Sequence, residues 1–435
     1  MTAPSSLLER DRLYTWHPFT QEKTAPTPLP VVKAEGIWLE LDDGHRLVDA
    51  ISSWWTNVHG HGHPLIAGAI SEQVETLDHV LFAGCTHPGA VDVAEELVRI
   101  TPEGLNRVFF SDNGSTAVEV ALKMVFQYWQ NRGEPQRTKF LALDHAYHGD
   151  TIGAMSAGDP DDFGGPFKSL FFPVARFAAP RIEEGDSALS ASLARLDALL
   201  DEHADTLGAV IVEPMVQGAG GMIMSSPEFL EAVAERVQAR GILLIADEVM
   251  TGFGRTGKLF AVEHAGVTPD IMCLAKGLTG GILPLAVTMA TDTIYDAFLS
   301  DDTRKAFLHG HSFTANPIAC AAARASLQIF RDEPVLERIA ALEAVYRERL
   351  PKLGEHPKVK NTRWLGSIGV VELSAEGGYY NQVGNRIREL FHTRGYLVRP
   401  LGTVIYTLPP YVLPPETLHT LFDHLEEILA SDAVV

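Results

Sequence analysis

The chain has 435 residues, 46% hydrophobic and 21% charged, enough apolar material for a large buried core. Its 35 Lys and Arg against 56 Asp and Glu leave a net charge of −21, which argues against non-specific nucleic-acid binding and against docking on anionic lipid. Cys85, Cys273 and Cys320 form no C-x-x-C pair and cannot build a disulfide framework. MTAPSSLLERDRLY has no apolar leader, and no run approaches the roughly 18 apolar residues of a membrane span, so a cytoplasmic protein is expected.

The first 30 or so residues, with APTPLP toward their end, read as an extended arm. Residues 31–50 alternate apolar and polar around Asp43-Gly44, the signature of a hairpin. Further on, helical stretches alternate with short apolar runs, the pattern of an α/β sheet. These runs are Val108 to Phe110, Phe140 to Leu143, Ala209 to Val212, Ile242 to Ala246 and Ile271 to Ala275. They end at Ser111, Asp144, Glu213, Asp247 and Lys276. Open α/β sheets bind ligands beyond the carboxyl ends of their strands, so five polar groups delivered to one edge describe an active site. An Ala-rich helical stretch, Ile318 to Phe330, then leads into Trp364 to Leu373, Ile387 to Thr393 and Leu397 to Leu408, which outline a small α+β domain. The expected division is 1–60, an arm and hairpin joining the small domain; 61–325, the large domain; and 326–435, the small domain.

Several segments carry chemistry. Asp112-Asn113-Gly114-Ser115-Thr116 sits between a strand and a helix, where free N–H groups suit a phosphate; Glu119 and Lys123 form an i,i+4 pair on that helix. Tyr147, just past a strand end, can stack on a flat ring. Asp247 can hold a protonated ring nitrogen, and Lys276, after a buried run, can become a nucleophile for carbonyls. Each alone has a bland structural explanation; together they describe pyridoxal 5′-phosphate (PLP). Gly252 to Gly257 spells G-x-G-x-x-G but does not sit directly in a strand-to-helix turn, which speaks against NAD. The histidines at 59, 61, 63, 309 and 311 lack metal-ligand spacing, so no metal is expected.

Glu213-Pro214, Asp247 to Gly257, Pro269-Asp270-Ile271 and Lys276-Gly277 resemble the class III PLP-dependent aminotransferases, over nearly the whole chain. The resemblance implies an α/β fold of PLP fold type I, with a mainly parallel central sheet in the large domain, and a homodimer with shared active sites. Trp16-His17-Pro18-Phe19, Ser52-Ser53-Trp54-Trp55, His59 to Pro64, Gln217 to Met222, Arg399-Pro400 and Leu408 to Tyr411 are similar to the branch that aminates 8-amino-7-oxononanoate in biotin biosynthesis. By that likeness Lys276 forms the Schiff base and shuttles the proton, Asp247 pairs with the pyridinium nitrogen, and Tyr147 stacks on the ring. Gly114 and Ser115 bind the phosphate, helped by Ser312 from the other subunit. Phe19, Trp54, Tyr147, Arg255, Gly310 and Arg399 contact substrate, Arg399 through a carboxylate. The expected amino donor is S-adenosylmethionine. Phe19, His311 and Leu401 depart toward lysine-using relatives, so lysine is the alternative donor. Another ω-amino-acid or diamine transaminase is the competing enzyme reading. A binding or regulatory module of the same fold is the non-catalytic one, and it would need neither Lys276 nor Asp247.

Overall fold

The five apolar runs become five strands of one seven-stranded sheet. Its spatial order is Arg107–Ser111, Ala286–Ala290, Ile271–Leu274, Leu243–Asp247, Leu207–Val212, Lys139–Leu143 and Val174–Phe177. Only Ala286–Ala290 runs against its neighbours; the other six strands share one direction. Leu207–Val212 and Ile271–Leu274 are buried throughout, because helices cover both faces of the sheet. Strands buried on both faces read as continuous apolar runs, not as alternations. The structure is a computed structural model and describes residues 6–375 and 381–431, the side chains of Asp162 and Phe163 excepted.

Two strands of the sheet lie outside the expected runs. Ala286–Ala290 contains Thr288, whose hydroxyl donates to the Ala117 carbonyl at 2.8 Å, so a polar residue sits satisfied in the core. Val174–Phe177 carries Arg176, whose guanidinium donates to the carbonyls of Val174, Ser156 and Gly158.

The helix Gly114–Arg132 starts where Asn113 and Thr116 cap each other. The Thr116 N–H donates to Asn113 Oδ1 at 3.1 Å, and the Asn113 N–H to Thr116 Oγ1 at 3.0 Å. It stops at Gly133, whose φ of 83° ends the helix in a left-handed residue. The Glu119–Lys123 pair expected on this helix gives way to other partners. Glu119 accepts the N–H of Gly153 at 2.7 Å, and the Lys123 amine lies 2.9 Å from His309 Nδ1.

The N-terminal segment is not wholly extended. Leu7–Tyr14 is a helix, opened by a capping box in which Ser6 Oγ accepts from the Glu9 N–H and the Glu9 carboxylate from the Ser6 N–H. The hairpin follows as Val31–Glu35, Trp38–Leu41 and Arg46–Asp49, turning at Gly44 with φ 85°. Arg46–Asp49 also pairs in parallel with Tyr396–Leu397, so the first strands share a sheet with the C-terminal region. There, Val359–Leu365, Ile368–Leu373 and Val404–Thr407 form an antiparallel sheet. The helices Val335–Gly354 and Pro415–Ala430 pack around a second core of Leu342, Tyr346, Phe391 and Phe422. The Ala-rich helix is Pro317–Asp332, capped by Asn316.

Candidate active site

A cavity of about 610 Å³ opens at the carboxyl edge of the seven-stranded sheet, a size suited to a cofactor. Gly114, Ser115, Tyr147, Glu213, Asp247 and Lys276 all line it. Of the five polar strand ends, Glu213, Asp247 and Lys276 reach the cavity; Ser111 and Asp144 do not.

Lys276 follows the buried strand Ile271–Leu274 and adopts φ 46°, a backbone that non-glycine residues avoid. This turn aims its amine into the cavity, 4.8 Å from the centre of the Trp55 ring. Desolvation pulls the ammonium down to about 8, against the opposing pull of Asp247 and Glu213, while Arg255 adds to the lowering. An amine so placed is partly neutral at ordinary pH and nucleophilic.

Asp247 ends the strand next to it. Its Oδ1 accepts the Val249 N–H at 3.0 Å, and its Oδ2 lies 2.7 Å from Nδ1 of the buried His148. Glu213 ends the strand beyond, accepting the N–H groups of Tyr147 at 3.0 Å and Gly218 at 2.9 Å. Burial raises its carboxyl to about 7; His148 acts against the shift and Asp247 with it. The Tyr147 hydroxyl donates to Asp150 Oδ2 at 3.0 Å, and burial first, then Asp150, pushes its phenol far above the ordinary range. Sequence reading placed Glu213 among the polar strand ends of the active edge but gave it no role, and it did not single out His148. Glu213 carried a signal, the end of an apolar run; His148 carried only its neighbourhood to Tyr147.

At the opposite wall, the amides of Gly114 and Ser115 are the first two of their helix and have no intrahelical acceptor. Ser115 Oγ accepts the Asp150 N–H at 3.1 Å. Gly149 makes this approach possible: a β-carbon there would fall 2.1 Å from Ser115 Oγ.

Phe19, Trp54 and Arg399, distant in sequence, form one cluster. The Phe19 and Trp54 rings meet edge-on at 5.7 Å, and the Arg399 guanidinium lies 4.6 Å above Trp54. Neither Arg399 nor its neighbour Arg388 forms an ion pair among the described residues; desolvation first and then the Arg399 charge lower the Arg388 pKa, with Glu389 acting against them. Arg255 stands apart from the expected pocket role. It is fully buried and absent from the cavity lining, and its guanidinium donates to the carbonyls of Pro409 at 2.9 Å and Trp55 at 3.3 Å. Gly310 and Ser312 are exposed and lie outside this chain's cavity. Between them, His311 Nδ1 is 2.9 Å from Asp112 Oδ2. The other histidines noted in sequence have partners of their own: His59 lies 3.1 Å from the Ser326 hydroxyl and His61 2.9 Å from Asp49.

The family profile described as Aminotransferase class-III matches residues 19–429. The chain belongs to the class-III aminotransferase family. Among curated relatives of this class-III aminotransferase, an adenosylmethionine-8-amino-7-oxononanoate aminotransferase of Synechococcus elongatus is 51% identical over 419 residues, covering 96% of this chain and 98% of the relative. A protein of the same name from Geobacter sulfurreducens is 42% identical, with 97% of each chain covered. Among solved structures, the adenosylmethionine-8-amino-7-oxononanoate aminotransferase of Methanocaldococcus jannaschii superposes with a TM-score of 0.92 at 37% identity, covering 97% of this chain and 98% of that one. An amine transaminase from an uncultivated Pseudomonas species, solved in its PLP-bound form, has a TM-score of 0.90 at 32% identity, with 96% and 98% covered. The α/β fold with its mainly parallel sheet is therefore that of solved class-III transaminases.

Proposed function

We propose that this aminotransferase uses PLP to convert 8-amino-7-oxononanoate to 7,8-diaminononanoate in biotin synthesis, with S-adenosylmethionine as amino donor, as a cytoplasmic homodimer. The observation that carries the reading is the pairing of Lys276 and Asp247 on adjacent strands in one cavity. The curated relatives carry both substrates in their names.

The residues present fit PLP: an amine whose pKa burial lowers to about 8, the buried carboxylates Asp247 and Glu213 at the ends of two adjacent strands, and unpaired helix amides at the far wall. Bound PLP supplies an aldehyde that condenses with amines and a ring that takes up electrons when a substrate C–H bond breaks. Lys276 would hold the cofactor and, once released, its Nζ would carry a proton between the substrate carbon and the cofactor. Asp247, fixed by His148 and the Val249 amide, keeps the ring nitrogen protonated. Gly114 and Ser115 hold the phosphate with the helix N-terminus behind them, joined by the partner subunit's Ser312. Tyr147 covers the ring. Arg399 binds the carboxylate of the keto acid while Trp54 and Phe19 form the apolar wall. Gly310, outside this chain's own cavity, would reach a substrate site only across the dimer, and Arg255 supports this chain's site by holding the Trp55 carbonyl.

The visible spectrum of the purified protein tests this reading. A yellow band that bleaches with S-adenosylmethionine and recovers with 8-amino-7-oxononanoate is the expected result. Bleaching by lysine alone would make lysine the donor, with Phe19, His311 and Leu401 as the residues that report it. Failure to aminate the keto acid with any donor would overturn the proposed acceptor.

A further inference from the structure

Asp49 ends the strand Arg46–Asp49, is fully buried and lies outside the cavity lining. Its carboxylate forms no ion pair with a lysine or arginine among the described residues, though the buried Arg255 feels its charge; a turn of backbone and one histidine hydrogen-bond it. The Ser53 N–H donates to both oxygens, at 2.6 and 2.9 Å, and the Ser53 hydroxyl to Oδ2 at 3.1 Å. The Ile51 N–H lies 3.2 Å from Oδ1 and His61 Nε2 2.9 Å from Oδ2. Removing a carboxylate from water is costly unless donors converge on it in this way.

The turn it holds is one that L-residues avoid. Ser52, Ser53 and Trp55 have φ of 51°, 57° and 66°. Three non-glycine residues in this region within four positions persist only where the surroundings over-determine them. On the other side, the Ser52 hydroxyl donates to the Leu408 carbonyl at 2.9 Å.

The result is that two consecutive indoles face different tasks. Trp55 points inward, donating Nε1–H to the Tyr406 hydroxyl at 2.8 Å, with the Lys276 amine 4.8 Å from its ring. Trp54 points outward to Phe19 and Arg399.

We propose that Asp49 is a positioning residue, which holds the strained Ser52–Trp55 turn and so sets Trp54 against the substrate and Trp55 against Lys276. The proposal deepens the function above and rests on Trp54 and Arg399 binding the keto acid. Asp49→Asn keeps the side-chain size but puts an NH₂ where an oxygen accepts N–H donors, so the turn loses part of its clamp.

The test uses the full-length holoenzyme labelled with 5-fluorotryptophan, which reports on six indoles. Trp54→Phe and Trp55→Phe assign the two signals of interest. Asp49→Asn is expected to move those two fluorine resonances and leave the other four in place. It is also expected to raise KM for 8-amino-7-oxononanoate about tenfold, with kcat changed less than about threefold. Unmoved resonances, or a fall in kcat at unchanged KM, would overturn the proposal. Should Asp49→Asn not fold, Ser53→Ala removes one donor and leaves the carboxylate; it is expected to move the same two resonances by less, and their staying in place counts against the proposal. The fluorine shifts are read without substrate. Parent enzyme that aminates no keto acid would therefore sink the proposed function, while the resonances still decide the role of Asp49.

Discussion

His148 and Asp247 face each other across 2.7 Å, Nδ1 to Oδ2, both buried and 99 residues apart in the chain. A carboxylate only accepts, so the imidazole donates from Nδ1, and its Nε2 has no hydrogen-bond partner among the described residues. Its one hydrogen bond among the described residues is therefore spent on Asp247, while its charge also acts on Glu213. His148→Ala is expected to lower kcat about tenfold with little change in KM, the worth of one charge-assisted hydrogen bond. His148→Asn, which can still donate, is expected to recover part of that loss. Steady-state kinetics of the two variants checks both points.

The Lys276 amine, brought by burial to about 8 from 10.5, couples stability to pH. Below pH 8 the cofactor-free fold carries an ammonium away from bulk water, while the unfolded chain carries it at no cost. The fold is weaker there by up to about 3 kcal/mol. Between pH 8 and 10.5 only the unfolded lysine keeps its proton, and this deficit disappears as pH rises. Lys276→Met is thus expected to be more stable than the parent at about pH 7 and nearly equal to it at about pH 10. Urea unfolding of both cofactor-free proteins measures the difference; a gain independent of pH contradicts the assignment.

Arg399 and Trp54 stack at 4.6 Å on a half-exposed surface. Arg399→Ala is expected to raise KM for the keto acid about tenfold or more and to leave cofactor affinity unchanged. A double-mutant cycle with Trp54→Ala is expected to show a coupling of about 0.5–1 kcal/mol, the range for an exposed cation–π pair. Strict additivity would mean that the stacking does not shape the substrate site.

Gly149 has φ 121°, and a β-carbon there would overlap Ser115 Oγ. Gly149→Ala is expected to push Ser115 away from the helix N-terminus and to weaken PLP binding by about a hundredfold, roughly two lost hydrogen bonds to the phosphate. Fluorescence titration of the cofactor-free protein reads this directly. Retained affinity would show that Ser115 is dispensable for the phosphate.

The sheet was legible because its central strands are buried on both faces and therefore read as uninterrupted apolar runs. Lys276 and Asp247 were legible for the complementary reason: a charge at the end of such a run is conspicuous. Ala286–Ala290 was missed because its bulk is modest and its Thr288 breaks the pattern, a break that a hydrogen bond to Ala117 makes harmless. The helix Leu7–Tyr14 had a readable signal in Ser6-Leu7-Leu8-Glu9, outweighed by the Pro and Thr further on. Arg255 looked like a pocket residue because its motif is shared with relatives. Its acceptors, the carbonyls of Trp55 and Pro409, lie 200 and 154 residues away, and no local pattern announces them. Asp49 is hidden for the same reason: its work is done on backbone amides, which have no letter in the sequence.

The Trp55 indole is tied to Tyr406, the Ser52 hydroxyl to Leu408, and Arg255 to Pro409. The cavity wall that carries Trp55 is thus tied, beyond its local clamp at Asp49, to residues 406–409. On the ribosome, the strands bearing Asp247 and Lys276 emerge well before the segment that fixes Trp55. The nascent chain consequently exposes a reactive lysine in a half-built cleft, and a closed, loaded site arises only once residues 406–409 have been made.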